Sequence, residues 1–229
     1  MWIILLGMLA ATLPIAALND GSSGTADASP APAAPERRAP EKTPTAPPPP
    51  IETRIEWRRS IAHGTATAGW LERGVILPEE GPGFYTYDPR GQTRPNAAVR
   101  RYGTAMLVRE LIDLGAWWAR EHPGAPRLGI GDLAHEGGGR FELHVSHQNG
   151  LDVDIRMPRS DGAEGRVGPG TYDRALTQEL ADHLVARGVE YVFYGPNLTV
   201  RGPAGVVEVW PNHDDHLHVR FRDPDGAGN

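Results

Sequence analysis

Five of the nine histidines crowd into two short stretches. The first reads His144-Val145-Ser146-His147-Gln148-Asn149-Gly150-Leu151-Asp152-Val153-Asp154, the second His213-Asp214-Asp215-His216-Leu217-His218. Imidazole binds metals and moves protons near neutral pH. On an extended strand, residues two apart share a face, roughly 6.5–7 Å apart along the backbone. His216 and His218 therefore look into the same space while Leu217 turns to the core, and Asp152 and Asp154 share a face by the same rule. Gly150 permits the tight reversal that brings His147 back beside Asp154. Two neutral imidazoles and one carboxylate form a ligand set typical of catalytic zinc, with a fourth position left for water. His63, His122, His135 and His183 stand outside both clusters and read as structural.

Such side chains need strands to hold them. Leu151, Val153 and Ile155 alternate with Asp152, Asp154 and Arg156, the pattern of a half-buried strand. Residues 216–221 alternate again and predict the last strand. Residues 189–194 and 206–210 read as two more, and 127–133 as a short one ahead of the Gly137-Gly138-Gly139 loop. Leu107, Val108, Leu111, Leu114 and Trp118 recur at three- and four-residue spacing. They predict a helix over residues 96–121, closed by Pro123 and Pro126. A second helix is predicted over residues 172–187, with Leu176, Leu180 and Leu184 on one stripe. Residues 51–95, broken by several Gly and Pro, predict loops and short strands wrapping the core. The fold class is α+β, a mainly antiparallel sheet with flanking helices.

Composition sets the context. Lys+Arg (23) falls short of Asp+Glu (29), giving a net charge of -6, so a broadly basic nucleic-acid binder is excluded. The absence of cysteine removes disulfides, thiolate metal sites and cysteine nucleophiles together. Residues 2–18 are uncharged and mostly apolar, a little short of the roughly 20 residues that span a bilayer. They predict a signal peptide or a signal anchor over residues 1–18, hence an exported protein on the periplasmic or wall side of the membrane. Nine of the 22 prolines then fall within residues 19–50. With almost no apolar bulk that stretch predicts a disordered, extended tether of about 3 Å per residue. Residues 51–229 are left as the folded domain, large enough to bury a core without disulfides.

The run from Ser146 to Ile155 closely resembles the core motif of the penicillin-insensitive murein endopeptidases, and His213-x-x-His216-x-His218-Val219-Arg220 resembles their second motif. The wider group, which includes lysostaphin-type peptidases, D-Ala-D-Ala metallopeptidases and the hedgehog N-terminal domain, shares His-x6-Asp followed much later by His-x-His. Gly131 to Leu133 and the Gly-rich loop after it also fit, and the resemblance covers roughly residues 60–222.

The resemblance implies a hedgehog/D-Ala-D-Ala-peptidase-like fold and one zinc ion per domain, with His147, Asp154 and His218 as its ligands. It implies His216 as catalytic base or transition-state stabiliser, and His144 and His213 as further active-site histidines that donate hydrogen bonds to developing charge or to a substrate carboxylate. The implied substrate is the peptide cross-link of peptidoglycan, typically D-alanyl to meso-diaminopimelate. Because that substrate is anionic, Arg140 and Arg220 are candidates to meet it. Two alternatives stay open: a D,D- or L,D-carboxypeptidase that trims stem peptides, and a non-catalytic, zinc-stabilised wall-binding module. The N-terminal segment leaves membrane attachment as an option.

Overall fold

The computed structural model describes residues 55–223, so the predicted signal segment and tether lie outside the described residues. Among the described residues no helix is long and apolar enough to cross a membrane. A hairpin comes first, β1 (Ile61–Gly64) against β2 (Gly69–Glu72). Then follow β3 (Val75–Ile76), β4 (Glu80–Gly81), β5 (Phe84–Thr86), β6 (Tyr102–Gly103) and helix α1 (Ala105–Glu121). The second half holds β7 (Leu128–Ile130), β8 (Asp152–Arg156), α2 (Arg174–Ala186), β9 (Tyr191–Tyr194), β10 (Val207–Val209) and β11 (Leu217–Arg220). Seven strands form one sheet in the order β10-β9-β11-β8-β7-β5-β4. The β9–β10 and β5–β7 ladders are parallel and the other four antiparallel, so the α+β, mainly antiparallel expectation holds.

The sheet divides its side chains by alternation. Val153 and Ile155 of β8, Leu217 and Val219 of β11, and Val192 of β9 join one core with Leu107, Leu111 and Trp118 of α1 and Leu180 and Leu184 of α2. Both helices therefore cover one face. The other face carries Asp152, Asp154, His218, Arg220, Tyr191 and Phe193. It is not the solvated side of a half-buried strand: all five residues of β8 and all four of β11 are buried. Loops cover this face, which makes its polar groups interior ones.

The first helix starts later than its apolar spacing predicts. Thr104 caps it, its hydroxyl accepting from Leu107 N at 3.1 Å. Residues 96–103, predicted to be helical, make a 3-10 turn at Ala98–Arg100 and then β6, which pairs with β3. Their polar side chains are claimed by distant partners: Asn96 and Arg100 both bind Asp132. The second helix begins at its cap Asp173, which accepts from Leu176 N at 3.0 Å.

The histidines outside the clusters have local partners. His183 stacks on Trp117 at 3.6 Å, His122 lies against Trp118 at 4.3 Å, and His63 stacks on Trp70 at 3.8 Å. His135 reaches Val99 O at 2.9 Å.

Candidate metal centre

The β8–β11 register builds the centre. It sets His218 opposite Asp154 and Arg220 opposite Asp152. Directly opposed side chains in an antiparallel pair stand close enough to touch, and His218 Nδ1 lies 3.0 Å from Asp154 Oδ1. The loop between β7 and β8 brings the third group. His147 Nε2 lies 3.3 Å from Asp154 Oδ1 and 3.1 Å from His218 Nδ1. Three ligand-type atoms thus meet at one point, two strands and a loop each supplying one.

That loop is shaped by left-handed backbone. Gly150 has φ +74, and a Cβ there would meet Leu71 Cδ2 at 2.8 Å. His147 itself adopts φ 67, a conformation that costs a non-glycine residue of order 1–3 kcal/mol. The turn holds because His147 is fully buried and its Nδ1 lies 2.6 Å from Leu133 O. Gly138, φ +66, lets the preceding Gly-rich loop pass over the hairpin, since a Cβ there would meet Leu71 N at 2.5 Å.

The acceptors around each imidazole fix where its proton sits. A carbonyl or carboxylate oxygen only accepts, so the ring nitrogen beside it carries the hydrogen, and in a neutral ring the other nitrogen offers a lone pair. His147 Nδ1 donates to Leu133 O. His144 Nε2 donates to Asp132 Oδ2 at 2.9 Å, and His216 Nδ1 to Asp215 Oδ1 at 2.7 Å. His213 Nδ1 donates to Pro211 O at 2.6 Å, and His218 Nε2 faces Asp152 Oδ1 at 3.4 Å. Four of the remaining nitrogens turn toward Asp154: besides His147 Nε2 and His218 Nδ1, His216 Nε2 lies 3.6 Å from Oδ1 and His144 Nδ1 3.9 Å from Oδ2. Without a cation His218 Nδ1 donates to Asp154. With one bound, these inward nitrogens would offer it lone pairs beside the carboxylate, each ring backed by an outer acceptor, an arrangement that suits a divalent cation. His144, His147 and Asp154 form a second, overlapping group able to hold a metal, with ligand atoms within 4.8 Å of one another.

Electrostatics favour positive charge at the same point. Burial alone would raise the Asp154 pKa, but His216 and His147 hold it well below the usual carboxylate range. Burial would lower His218, yet hydrogen bonds to Asp152 and Asp154 push it up to about 9. Burial also opposes the charged form of His216, and Asp154 and Asp215 outweigh it to raise that pKa. A metal competes with these protons for the same carboxylates. His213 goes the other way, to about 4, through burial and the nearby His216.

The centre opens into a cleft of about 330 Å³. Its polar side carries His144, His213, His216 and His218, one wall is aromatic with Tyr191, Phe193 and Trp210, and Leu143 and Val145 line it beside His144. Neither arginine proposed from the sequence lines it. Arg140 is exposed on the Gly-rich loop. Arg220 is buried, its guanidinium taken by Asp152 at 2.7 Å, Glu190 at 3.0 Å and Asn149 at 3.1 Å. Alternation puts Arg220 on the His218 face, but the paired carboxylate across the ladder keeps it there as a brace. Arg220→Gln would leave buried Asp152 with only His218 and Tyr191 as partners, and breaking a buried ion pair costs up to about 3–5 kcal/mol. Chemical denaturation of that variant should show the loss.

His213 also differs from the expectation of a hydrogen-bond donor. With Nδ1–H donated to Pro211 O and its pKa depressed, the nitrogen left over is an acceptor. Residues absent from the sequence-based set complete the centre: Asp132 behind His144, Asp152 behind His218 and Asp215 behind His216. Asp152 and Asp215 sit in the histidine-bearing stretches and were visible there. Asp132 lies in the Gly131–Leu133 stretch that fits the family resemblance, but 12 positions before its partner, and it is the fold that pairs it with His144.

Comparison with known proteins places the chain in a family. The family model described as penicillin-insensitive murein endopeptidase matches residues 62–180, which include His144, His147 and Asp154. A penicillin-insensitive murein endopeptidase of Haemophilus influenzae is 29% identical over 196 residues, covering 72% of this chain and 64% of that protein. One from Klebsiella pneumoniae is 26% identical over 194 residues, covering 72% of this chain and 67% of that protein. One from Yersinia enterocolitica is 32% identical over 123 residues, 42% of this chain and 45% of its own. The chain thus spans about two thirds of the length of the first two. With more than half of its residues matched by the family model, the chain belongs to the penicillin-insensitive murein endopeptidase family.

Proposed function

We propose that this protein is a zinc-dependent peptidase that hydrolyses the peptide cross-links of peptidoglycan, acting at the D-alanyl to meso-diaminopimelate bond. The observation that carries the reading is the meeting of His147 Nε2, Asp154 Oδ1 and His218 Nδ1 within 3.0–3.3 Å of one another, with His218 lining an open cleft. Two imidazoles and one carboxylate are the donor set of catalytic zinc, and the names of the relatives supply the substrate class. A cation in this set polarises a carbonyl and acidifies water, the two services that amide hydrolysis needs.

The chain's own groups supply the rest. His216, its Nδ1–H fixed by Asp215, turns Nε2 toward Asp154 and is placed to take a proton from the attacking water. His213 presents an acceptor to an N–H of the bound peptide. Tyr191 and Phe193 in the cleft wall, with exposed Leu143 and Val145 at its edge, offer apolar surface for the bound peptide to cover. Arg140, exposed on its loop, is retained as a contact for a substrate carboxylate outside the cleft. The apolar segment at residues 2–18 fits export, which would place the enzyme beside its wall substrate.

The test is digestion of purified, cross-linked wall with product identification by mass. Conversion of muropeptide dimers to monomers is expected. Shortened monomer stems with intact dimers would point to a carboxypeptidase, and binding without any product to a wall-binding module.

A further inference from the structure

Asp132 is fully buried, yet it neither lines the cleft nor belongs to either metal-ligand group. Its carboxylate is shared among three partners. Arg100 grips it with Nε at 2.8 Å and with a second guanidinium nitrogen, and Asn96 Nδ2 donates to it at 3.0 Å. Oδ1 takes Arg100 Nε and Asn96, while Oδ2 takes the second Arg100 nitrogen and also accepts from His144 Nε2 at 2.9 Å. Gripped by a guanidinium and an amide donor, the carboxylate presents an acceptor oxygen to His144. Arg100 has a second hold on the same imidazole. Its guanidinium lies 4.5 Å over the Phe141 ring, and Phe141 meets His144 edge-on at 5.0 Å.

A free histidine exchanges its proton between two nitrogens and rotates its ring. Here one arrangement is fixed by a charged acceptor that is itself held from two sides. We propose that Asp132 is a positioning residue: seated by Arg100 and Asn96, it locks His144 with the proton on Nε2 and presents Nδ1 to the cleft as an acceptor for an N–H or O–H of the substrate or the attacking water. The catalytic consequence rests on the peptidase reading above; the tautomer does not. Outer partners of this kind typically contribute 10–100-fold to activity or metal affinity.

Two measurements test it on the full chain. Long-range ¹⁵N–¹H NMR of histidine-labelled protein reads the tautomer without any substrate. The His144 proton is expected on Nε2, and a proton on Nδ1 overturns the proposal whether or not the protein cleaves murein. The second measurement is a double-mutant cycle on muropeptide dimers. Asp132→Asn keeps the size of the side chain, but its amide can donate to Nε2 and so move the proton. It should lose 10–100-fold in turnover with zinc content unchanged. In a His144→Ala background the same change should cost less than about twofold, because the path through His144 is already gone. Losses that multiply, or loss of zinc, would show that Asp132 acts elsewhere and would sink the idea. Should Asp132→Asn fail to fold, Arg100→Lys takes its place, keeping the charge and giving up the paired hydrogen bonds. A wild type inactive on dimers counts against the peptidase reading alone, and the NMR result still decides the tautomer.

Discussion

His218→Ala protein is expected to lose the proposed zinc, while His144→Ala protein keeps close to one equivalent. The two overlapping groups share His147 and Asp154 and differ in the third imidazole. His218 is the nearer, 3.0 Å from Asp154 Oδ1, and it stands on β11 directly across the ladder from Asp154. His144 Nδ1 is 3.9 Å from the other carboxylate oxygen and is carried by a loop. A ligand held by paired strands pays less ordering entropy than one held by a loop. Removing His218 should weaken zinc binding by more than the roughly 10–100-fold that an outer partner contributes. Metal analysis after dialysis, with chelator competition for the affinity, reads both variants. Full zinc in His218→Ala and none in His144→Ala would transfer the third position to His144. The fold should persist when the metal is removed, because the core between the sheet and the two helices is independent of it.

His216→Ala should keep zinc and lose turnover. His216 Nε2 is 3.6 Å from Asp154 Oδ1, farther than either His147 or His218, and its other nitrogen is committed to Asp215. A proton-transfer group contributes about 10²–10⁴-fold, and a stabiliser of developing negative charge a similar factor. The assay needs a cross-linked dimer, since a monomeric stem reports trimming instead. The pH dependence has a defined sign. Asp154 and Asp215 raise the His216 pKa against the effect of burial. As a base it works only when deprotonated, so the rate climbs with pH through that pKa, and the climb should vanish in His216→Ala. A wild-type rate with zinc retained would remove His216 from the reaction, and loss of zinc would make it a ligand.

The sequence by itself determined the local pieces. Alternation in residues 151–156 and 216–221 identified β8 and β11, because a strand's side chains must point to opposite faces. The leucine stripes identified α1 and α2 for the corresponding helical reason, and the motif resemblance selected His147, Asp154 and His218 as one set. Tertiary structure decided what those faces meet. The polar face of β8 looked solvated from its pattern, yet Asp152 and Asp154 are buried, since period 2 reports two faces and not what covers them. The register that opposes His218 to Asp154 and Arg220 to Asp152 turned one predicted substrate contact into a brace. Residues 96–103 look helical in isolation but are drawn into a turn and a short strand, where Asn96 and Arg100 can reach Asp132. Which nitrogen carries the proton is likewise a tertiary matter for His144, His147 and His218, and a local one for His213 and His216, whose acceptors lie two and one residues away. Leu133 O, Pro211 O and the carboxylates of Asp132, Asp152 and Asp215 set it. A residue's type fixes the chemistry it can do, whereas the acceptor beside it, most often supplied from another part of the chain, fixes the direction in which that chemistry points.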